Sequence, residues 1–430
     1  MQSIYFIGIG GVGMSALAQA FLDKGWRVGG SDRLLERGQA TPTLEALRGQ
    51  GAALFPQDGS GPQAGWDAVV FSTAIEADNA DLRAAQALGQ RCLHRSAALA
   101  ALAEGHPLVA VTGTCGKSSV TALLGHLLAE CGRDPFVVNG AEVVGWDAGG
   151  RRVGSTRPSQ TPGSLMVVEA DESDKSLMAL SPAHVIVTNA SSDHFPKEEA
   201  EALFGAFKAK ATGVVVDTTD APPAADFERQ GWETVFTWRG RAWRLPMPGA
   251  HNVANAKAAL EMALRLGCAP EALAGALATF RGTRRRLERT GTCRGAAVLD
   301  DYAHNTEKLS AAWTTLAEAF PKGVFGVWRP HGYAPLRKMM DALAAMFDAT
   351  VRPCDRLLLL PVYDAGGTAD RSVNSDALLA RLSCPAEGVA SLEEAAARLR
   401  ALAAPGTAVA FFGARDPELP VWAKRLGAEG

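Results

Sequence analysis

Apolar positions along this chain recur in short aliphatic or β-branched runs, each broken by a glycine or an acid and followed by an Ala/Leu-rich stretch. That alternation predicts strand, turn and helix, and repeated end to end it predicts parallel sheets covered by helices. Runs at residues 4–7, 26–32, 68–72 and 90–94 form a first group. Val109 and Val111 with the runs at 136–139, 165–170 and 184–189 form a second, and those at 297–304, 324–328, 356–361 and 408–413 a third. The fold class read from this pattern is α/β, with three domains in series at 1–105, 106–284 and 285–430. A helix is expected at 256–266. The basic stretch 280–288 interrupts the helical pattern and reads as an exposed hinge between domains.

The sharpest break lies in the second group, where the strand containing Val109 and Val111 gives way to Gly113-Thr-Cys-Gly116-Lys117-Ser118-Ser119 and then to a long helical run. Gly113, Thr114 and Gly116 let backbone N–H groups curl round an anion, and the helix N-terminus adds partial positive charge. Lys117 supplies a full charge, and the Ser118 hydroxyl suits a Mg²⁺ shell. Two later strands in this group are followed by polar chemistry at the edge where open α/β sheets hold ligands. Glu169 and His194 are therefore candidate metal ligands, beside the plainer readings of a solvated loop acid and a packing or helix-terminal histidine.

The first strand runs into Gly8, Gly10, Gly11 and Gly13 and then a helix, and the strand at 26–32 ends in Asp32. Glycines where a backbone meets a diphosphate, with an acid where a ribose lies, are the dinucleotide-fold arrangement. Taken alone, these residues also suit a nicotinamide-dependent oxidoreductase, but that reading leaves Lys117, Ser118 and Glu169 unexplained.

Composition narrows the field. A net charge of −3 over 430 residues offers no basic face for nucleic acid, and no run reaches the ~20 apolar residues of a membrane span. Met1 leads almost directly into an apolar strand without a signal-peptide pattern, so a cytoplasmic protein is expected. The seven cysteines form no C-x-x-C pair, which fits a reducing compartment without disulfides or a zinc site.

Together, Gly8-Ile-Gly-Gly-Val-Gly-Met-Ser15, Gly30-Ser-Asp32, Ser72-Thr-Ala-Ile-Glu-Ala-Asp-Asn79, Thr112-Gly-Thr-Cys-Gly-Lys-Ser-Ser119, Glu169-Ala-Asp-Glu-Ser-Asp174, His251-Asn252 and Asp300-Asp-Tyr-Ala-His304 resemble the Mur ligases. These are the ATP-dependent amide-forming enzymes of peptidoglycan assembly, and the likeness is greatest to the branch that adds L-alanine to UDP-N-acetylmuramate. The resemblance implies a Rossmann-like nucleotide-sugar domain, a central P-loop ATPase domain and a C-terminal Rossmann-like domain. It implies small-molecule substrates (UDP-N-acetylmuramate, an amino acid and ATP), two Mg²⁺ ions, and a monomer or weak homodimer.

By position, it implies nucleotide-sugar binding at Gly8, Gly10, Gly11, Gly13, Asp32 and Ser72, and phosphate binding from Gly113 through Ser119. Adenine falls to Asn252, otherwise an N-cap beside Asn255, and ribose to Asp301. Arg286, or its neighbour Arg285, would reach the γ-phosphate. Metal would sit on Ser118, Glu169 and His194, with His304, His331 and Arg337 on the acceptor side and Lys208 as the position for a carbamylated lysine. The alternative within the family is a recycling ligase that attaches a preformed murein peptide. Cys115 stands where that branch has His, Asn305 follows His304 where it has a His-His-Pro run, and residues 236–248 are too few for its β-rich excursion.

Overall fold

The computed structural model describes residues 2–36, 38–39, 41–173, 175–190, 195–222, 224–364 and 370–430. Contacts divide it into two units, Met1–Glu228 with Thr234–Met247 and His251–Thr283, and Arg229–Glu233 with Pro248–Ala250 and Arg284–Gly430.

The first unit holds two main sheets. One has five parallel strands in the order Ala53–Phe55, Arg27–Ser31, Ser3–Ile7, Ala68–Phe71 and Arg91–His94. The order turns back at Ser3–Ile7, so the glycine loop leaves the sheet at its topological switch point, the usual ligand crevice of such sheets. The other has the order Val215–Asp217, His184–Val187, Leu108–Thr112, Met166–Glu169, Phe136–Val138 and Thr156–Arg157, parallel except for the last strand. Its central strands are buried on both faces, which is why they read as unbroken Val/Ile runs.

The two sheets share one hydrophobic core, in which Phe6, Leu17 and Phe21 join Phe136, Val168 and Phe204. A half-buried Arg152–Asp23 ion pair at 2.7 Å and a hydrogen bond from Val153 N to Gln19 Oε1 at 3.1 Å fasten the same face.

The second unit carries a six-stranded sheet ordered Glu288–Cys293, Ala296–Asp301, Ala408–Phe412, Val324–Trp328, Arg356–Leu359 and Ala386–Gly388. Only its first pair is antiparallel. Helices cover both faces, over cores built on Trp313, Trp328 and Phe347 on one side and on Phe411, Leu358 and Trp422 on the other. Among the described residues, no helix is long and apolar enough to cross a membrane.

Two sequence expectations need correcting. The helix expected from residue 256 begins at Ala250 and runs to Arg265, so His251, Asn252 and Asn255 lie in its first turns rather than ahead of it. Pro248 and Gly249, the latter with φ +104°, supply the break, and the Ala-rich pattern extends back to meet it. The stretch 280–288 is not an exposed linker: Phe280 and Thr283 are buried in the first unit. In the second unit Arg284 pairs with Glu288 and Arg285 with Asp300. Residues 236–248, too few for the branch's β-rich excursion, contribute to a short hairpin of Glu233–Trp238 and Arg241–Leu245 that buries Phe236 and Trp243.

Candidate active site

The loop from Gly113 to Gly116 leaves strand Leu108–Thr112 and enters helix Lys117–Glu130. Its two glycines are required by space as well as by conformation. A β-carbon at Gly113, where φ is +131°, would lie 2.1 Å from Thr188 Oγ1, and one at Gly116, where φ is +85°, would lie 2.5 Å from Asn255 Oδ1. Residues at the end of strand His184–Val187 hold the loop. Asn189 Oδ1 accepts from Thr114 Oγ1 at 2.5 Å and from Cys115 N at 2.8 Å, and Thr188 Oγ1 donates to Cys115 O at 2.6 Å. Asn189 and Asn255 were not assigned to the site from sequence. Their signal is position, one at the end of a strand beside the loop and one a turn past Asn252.

Lys117 is nearly buried. Its Nζ donates to Gly113 O at 2.8 Å and pairs with Glu172 Oε2 at 2.7 Å. Burial opposes its charge, but Glu172, Glu169 and Asp171 outweigh burial and hold its pKa above that of a free lysine. Glu172 is fully buried, and burial raises its carboxyl against the pull of Lys117. Glu169, at the end of strand Met166–Glu169, accepts from Gly140 N at 2.8 Å. A β-carbon at Gly140 would lie 2.4 Å from its Oε2, so that glycine fixes where the carboxylate sits.

Ser118 is buried in the first turn of the loop helix, Ser119 follows it, and Asn252 is buried on helix Ala250–Arg265. His194 lies outside the described residues. Among the described residues there is no cluster of three or more His, Cys, Asp or Glu that could hold a metal. The Ser118 hydroxyl and the Glu169 carboxylate are nonetheless hard oxygen donors beside a phosphate loop. They fit Mg²⁺, which keeps waters and phosphate oxygens for the rest of its shell. Lys208 does not fit a carbamate, because its Nζ forms an ion pair with Asp217 and a carbamate would set one anion against another.

In the Gly8–Gly13 loop, Gly8 N and Ile9 N donate to Ser31 O at 2.8 Å. Asp32 Oδ2 accepts from Gly10 N at 3.0 Å and its Oδ1 from Leu34 N at 3.0 Å, so this acid shapes the loop it terminates. Gly11 is the N-cap of helix Val12–Asp23, and Ser72 follows strand Ala68–Phe71.

The second unit brings together His304, His331 and Tyr302. The two imidazoles meet edge to face at 4.9 Å, and Tyr302 lies 5.5 Å from His304. Burial lowers the His304 pKa to about 4. Burial first, then Arg415 and Lys308, lower that of His331. Asp301 is buried, accepting from Leu287 N and Ala303 N at 2.7 Å each. Arg285 is committed to Asp300 and to the carbonyls of Gly413 and Ala414. Arg286 makes no hydrogen bond or ion pair among the described residues and lies 5.6 Å from the Tyr302 ring centroid. Arg337 is paired at the surface with Asp370 at 2.7 Å and Ser372 at 3.0 Å.

Two family models match the chain, "Mur ligase family, catalytic domain" over residues 3–107 and "Mur ligase, glutamate ligase domain" over residues 285–415. The chain belongs to the Mur ligase family. Among curated Mur ligases it is 36% identical to the UDP-N-acetylmuramate--L-alanine ligase of Arthrobacter sp., covering 94% of this chain and 90% of that protein. It is 32% identical to the enzyme of the same name from Sinorhizobium fredii, covering 99% and 97%. Of solved Mur ligase structures, the UDP-N-acetylmuramate-alanine ligase MurC of Thermotoga maritima superposes with a TM-score of 0.80 at 24% identity, covering 100% of this chain and 99% of that one. A murein peptide ligase from Psychrobacter arcticus gives 0.66 at 17% identity, covering 100% and 98%. At these identities the structures establish a shared fold.

Proposed function

We propose that this protein is an ATP-dependent ligase that joins the lactyl carboxylate of UDP-N-acetylmuramate to L-alanine through an acyl phosphate, in cytoplasmic peptidoglycan precursor synthesis. The observation that carries the reading is the 36% identity over 94% of the chain to a relative of that name. The domains act at 1–105 for the nucleotide sugar, 106–284 for ATP and 285–430 for the acceptor, in a monomer or weak homodimer.

An amide does not form from a free carboxylate in water, so the carboxylate must first acquire a leaving group. Attack of one anion on the γ-phosphate of ATP requires positive charge at the point of meeting. Lys117, kept protonated by three neighbouring acids, supplies a fixed charge at the β/γ-phosphates. Ser118, Glu169 and His194 are the residues that would hold Mg²⁺, which when bound neutralises phosphate oxygens. A second ion belongs to the same reading.

Arg286, which forms no ion pair among the described residues and acts on Asp301 through charge alone, is the arginine assigned to the γ-phosphate, because Arg285 is already occupied. Asn252 takes adenine and Asp301 the ribose. His304 and His331 line the acceptor side as neutral imidazoles, since their lowered pKa values keep them uncharged near pH 7. Arg337 completes that side.

The test is phosphate release from ATP in the presence of UDP-N-acetylmuramate, with single amino acids and then L-Ala-γ-D-Glu-diaminopimelate as acceptors. Release that depends on L-alanine is the expected result. Release with the tripeptide alone would move the protein to peptide recycling, and no release with any acceptor would overturn the ligase reading.

A further inference from the structure

Three strands that are neighbours in the first sheet end at the same edge. Ser3–Ile7 is followed by the glycine loop, Ala68–Phe71 by Ser72, and Arg91–His94 by Arg95. Arg95 is the first residue of helix Arg95–Ala103, whose N-cap is His94. Nothing in the glycine motif or in the acidic motif points to this arginine, yet its side chain lies against both.

A β-carbon at Gly13 would come within 2.5 Å of Arg95 Nη1, so the guanidinium occupies the space that the last glycine of the loop leaves open. Its one ion-pair or hydrogen-bond partner among the described residues is Asp171 Oδ2, at 3.4 Å. Asp171 is itself occupied by Ser173, accepting from its N at 3.2 Å and its Oγ at 3.1 Å. A guanidinium has five N–H donors in a planar fork. One distant acceptor leaves most of them unused, in a side chain that is 28% exposed and therefore reachable from solvent.

A planar cation with spare donors, pressed against a glycine loop at a sheet's switch point, has the chemistry to bind a phosphate group through two parallel hydrogen bonds. We propose that Arg95 binds the diphosphate of the nucleotide sugar at the Gly8–Gly13 loop, and that Asp171 holds the guanidinium in position until the substrate arrives. This assignment rests on the ligase reading above, because it takes the nucleotide sugar as the ligand of that loop. It also gives the loop a full positive charge, where the backbone and the helix N-terminus supply only partial ones.

The experiment is calorimetric titration of the full chain with UDP and with UDP-N-acetylmuramate, and separately with ADP, for the wild type, Arg95→Gln and Arg95→Lys. Loss of a charge-assisted phosphate contact should weaken both uridine nucleotides about ten- to a hundredfold in Arg95→Gln. ADP binding should stay within about twofold, since the phosphate loop is a separate site. Arg95→Lys keeps the charge without the fork and should fall between. It serves as the decisive variant if the glutamine form does not fold, and wild-type binding by it would overturn the bidentate contact. A wild type that binds UDP-N-acetylmuramate beside an Arg95→Gln that binds it equally well would overturn the Arg95 assignment alone. A loss confined to UDP-N-acetylmuramate, with UDP unaffected, would place the guanidinium on the sugar's carboxylate and overturn the diphosphate contact. A wild type that binds no UDP-N-acetylmuramate would overturn the ligase reading and this assignment with it.

Discussion

Asp300 provides a quantitative test of how the second unit is held together. It sits inside strand Ala296–Asp301, 1% exposed, and among the described residues its ion-pair partner is Arg285 at 3.2 Å. Burial, with further repulsion from Glu288 and Asp301, outweighs Arg285 and pushes its carboxyl from 3.8 up to about 7. A raised acid pKa means that the native state favours the protonated form. The associated stability is fully present below the unfolded pKa and is lost as pH rises through the folded one. The span from 3.8 to about 7, at ~1.36 kcal/mol per pH unit, is about 4 kcal/mol in all, of which about 2.5 kcal/mol falls between pH 5 and pH 8. Asp300→Asn keeps the shape and cannot ionise. The difference in unfolding free energy between variant and wild type should therefore move toward the variant by about 2.5 kcal/mol from pH 5 to pH 8. Urea melts of both proteins at each pH, followed by tryptophan fluorescence, measure that difference and cancel the titrations they share, including that of His304. A difference that stays flat across this range would refute the reasoning, because Asp300 would then be ionised throughout.

Two further outcomes concern the first unit. Lys117→Ala should abolish turnover while leaving UDP-N-acetylmuramate binding within about twofold, as calorimetry would report, because the charge lost belongs to the phosphate loop and not to the glycine loop; loss of both together would count against separate sites. Gly140→Ala should lower kcat by at least about tenfold with little change in melting temperature, since the new methyl would fall 2.4 Å from Glu169 Oε2 and displace a carboxylate placed by that backbone. A variant whose kcat at saturating Mg²⁺ matched the wild type would remove Glu169 from the reaction.

The sequence revealed the fold wherever a strand was long and buried on both faces. Val109, Val111, Val167 and Ile186 are Val/Ile positions with no exposed side, so burial and pattern say the same thing. It was silent on the edge strands Ala53–Phe55, Thr156–Arg157, Val215–Asp217 and Ala386–Gly388, which have two or three residues each and carry too little apolar pattern to stand out. The hairpin at Glu233–Trp238 and Arg241–Leu245 was missed for another reason. Its strands alternate Phe236 and Trp243 inward with Thr237 and Arg244 outward, a period of two that single aromatics mark only weakly.

Site residues followed a similar division. Chemistry that is local in sequence, such as Gly113 to Ser119 or Asp300 to His304, was legible because a loop and its strand come as one segment. Contacts made across elements were not. Asn255 bears on Gly116 from more than a hundred residues away, Asn189 holds Cys115, and Arg95 fills the space at Gly13 from a neighbouring strand end. In each case the residue type is unremarkable and only the fold gives it a partner. Arg285 and Arg286 show the same limit in reverse. As adjacent arginines in a basic run they were interchangeable candidates for the γ-phosphate. The backbone turn at Arg285, with φ +58°, sends one guanidinium to Asp300 and two carbonyls, while among the described residues the other makes no hydrogen bond or ion pair and bears on Asp301 through charge alone. A cation hydrogen-bonded to a buried acid must break those bonds before it can move to a phosphate, and one held by charge alone has none to break. That difference, invisible in the sequence Arg284-Arg-Arg286, is why Arg286 is the one proposed for the phosphate.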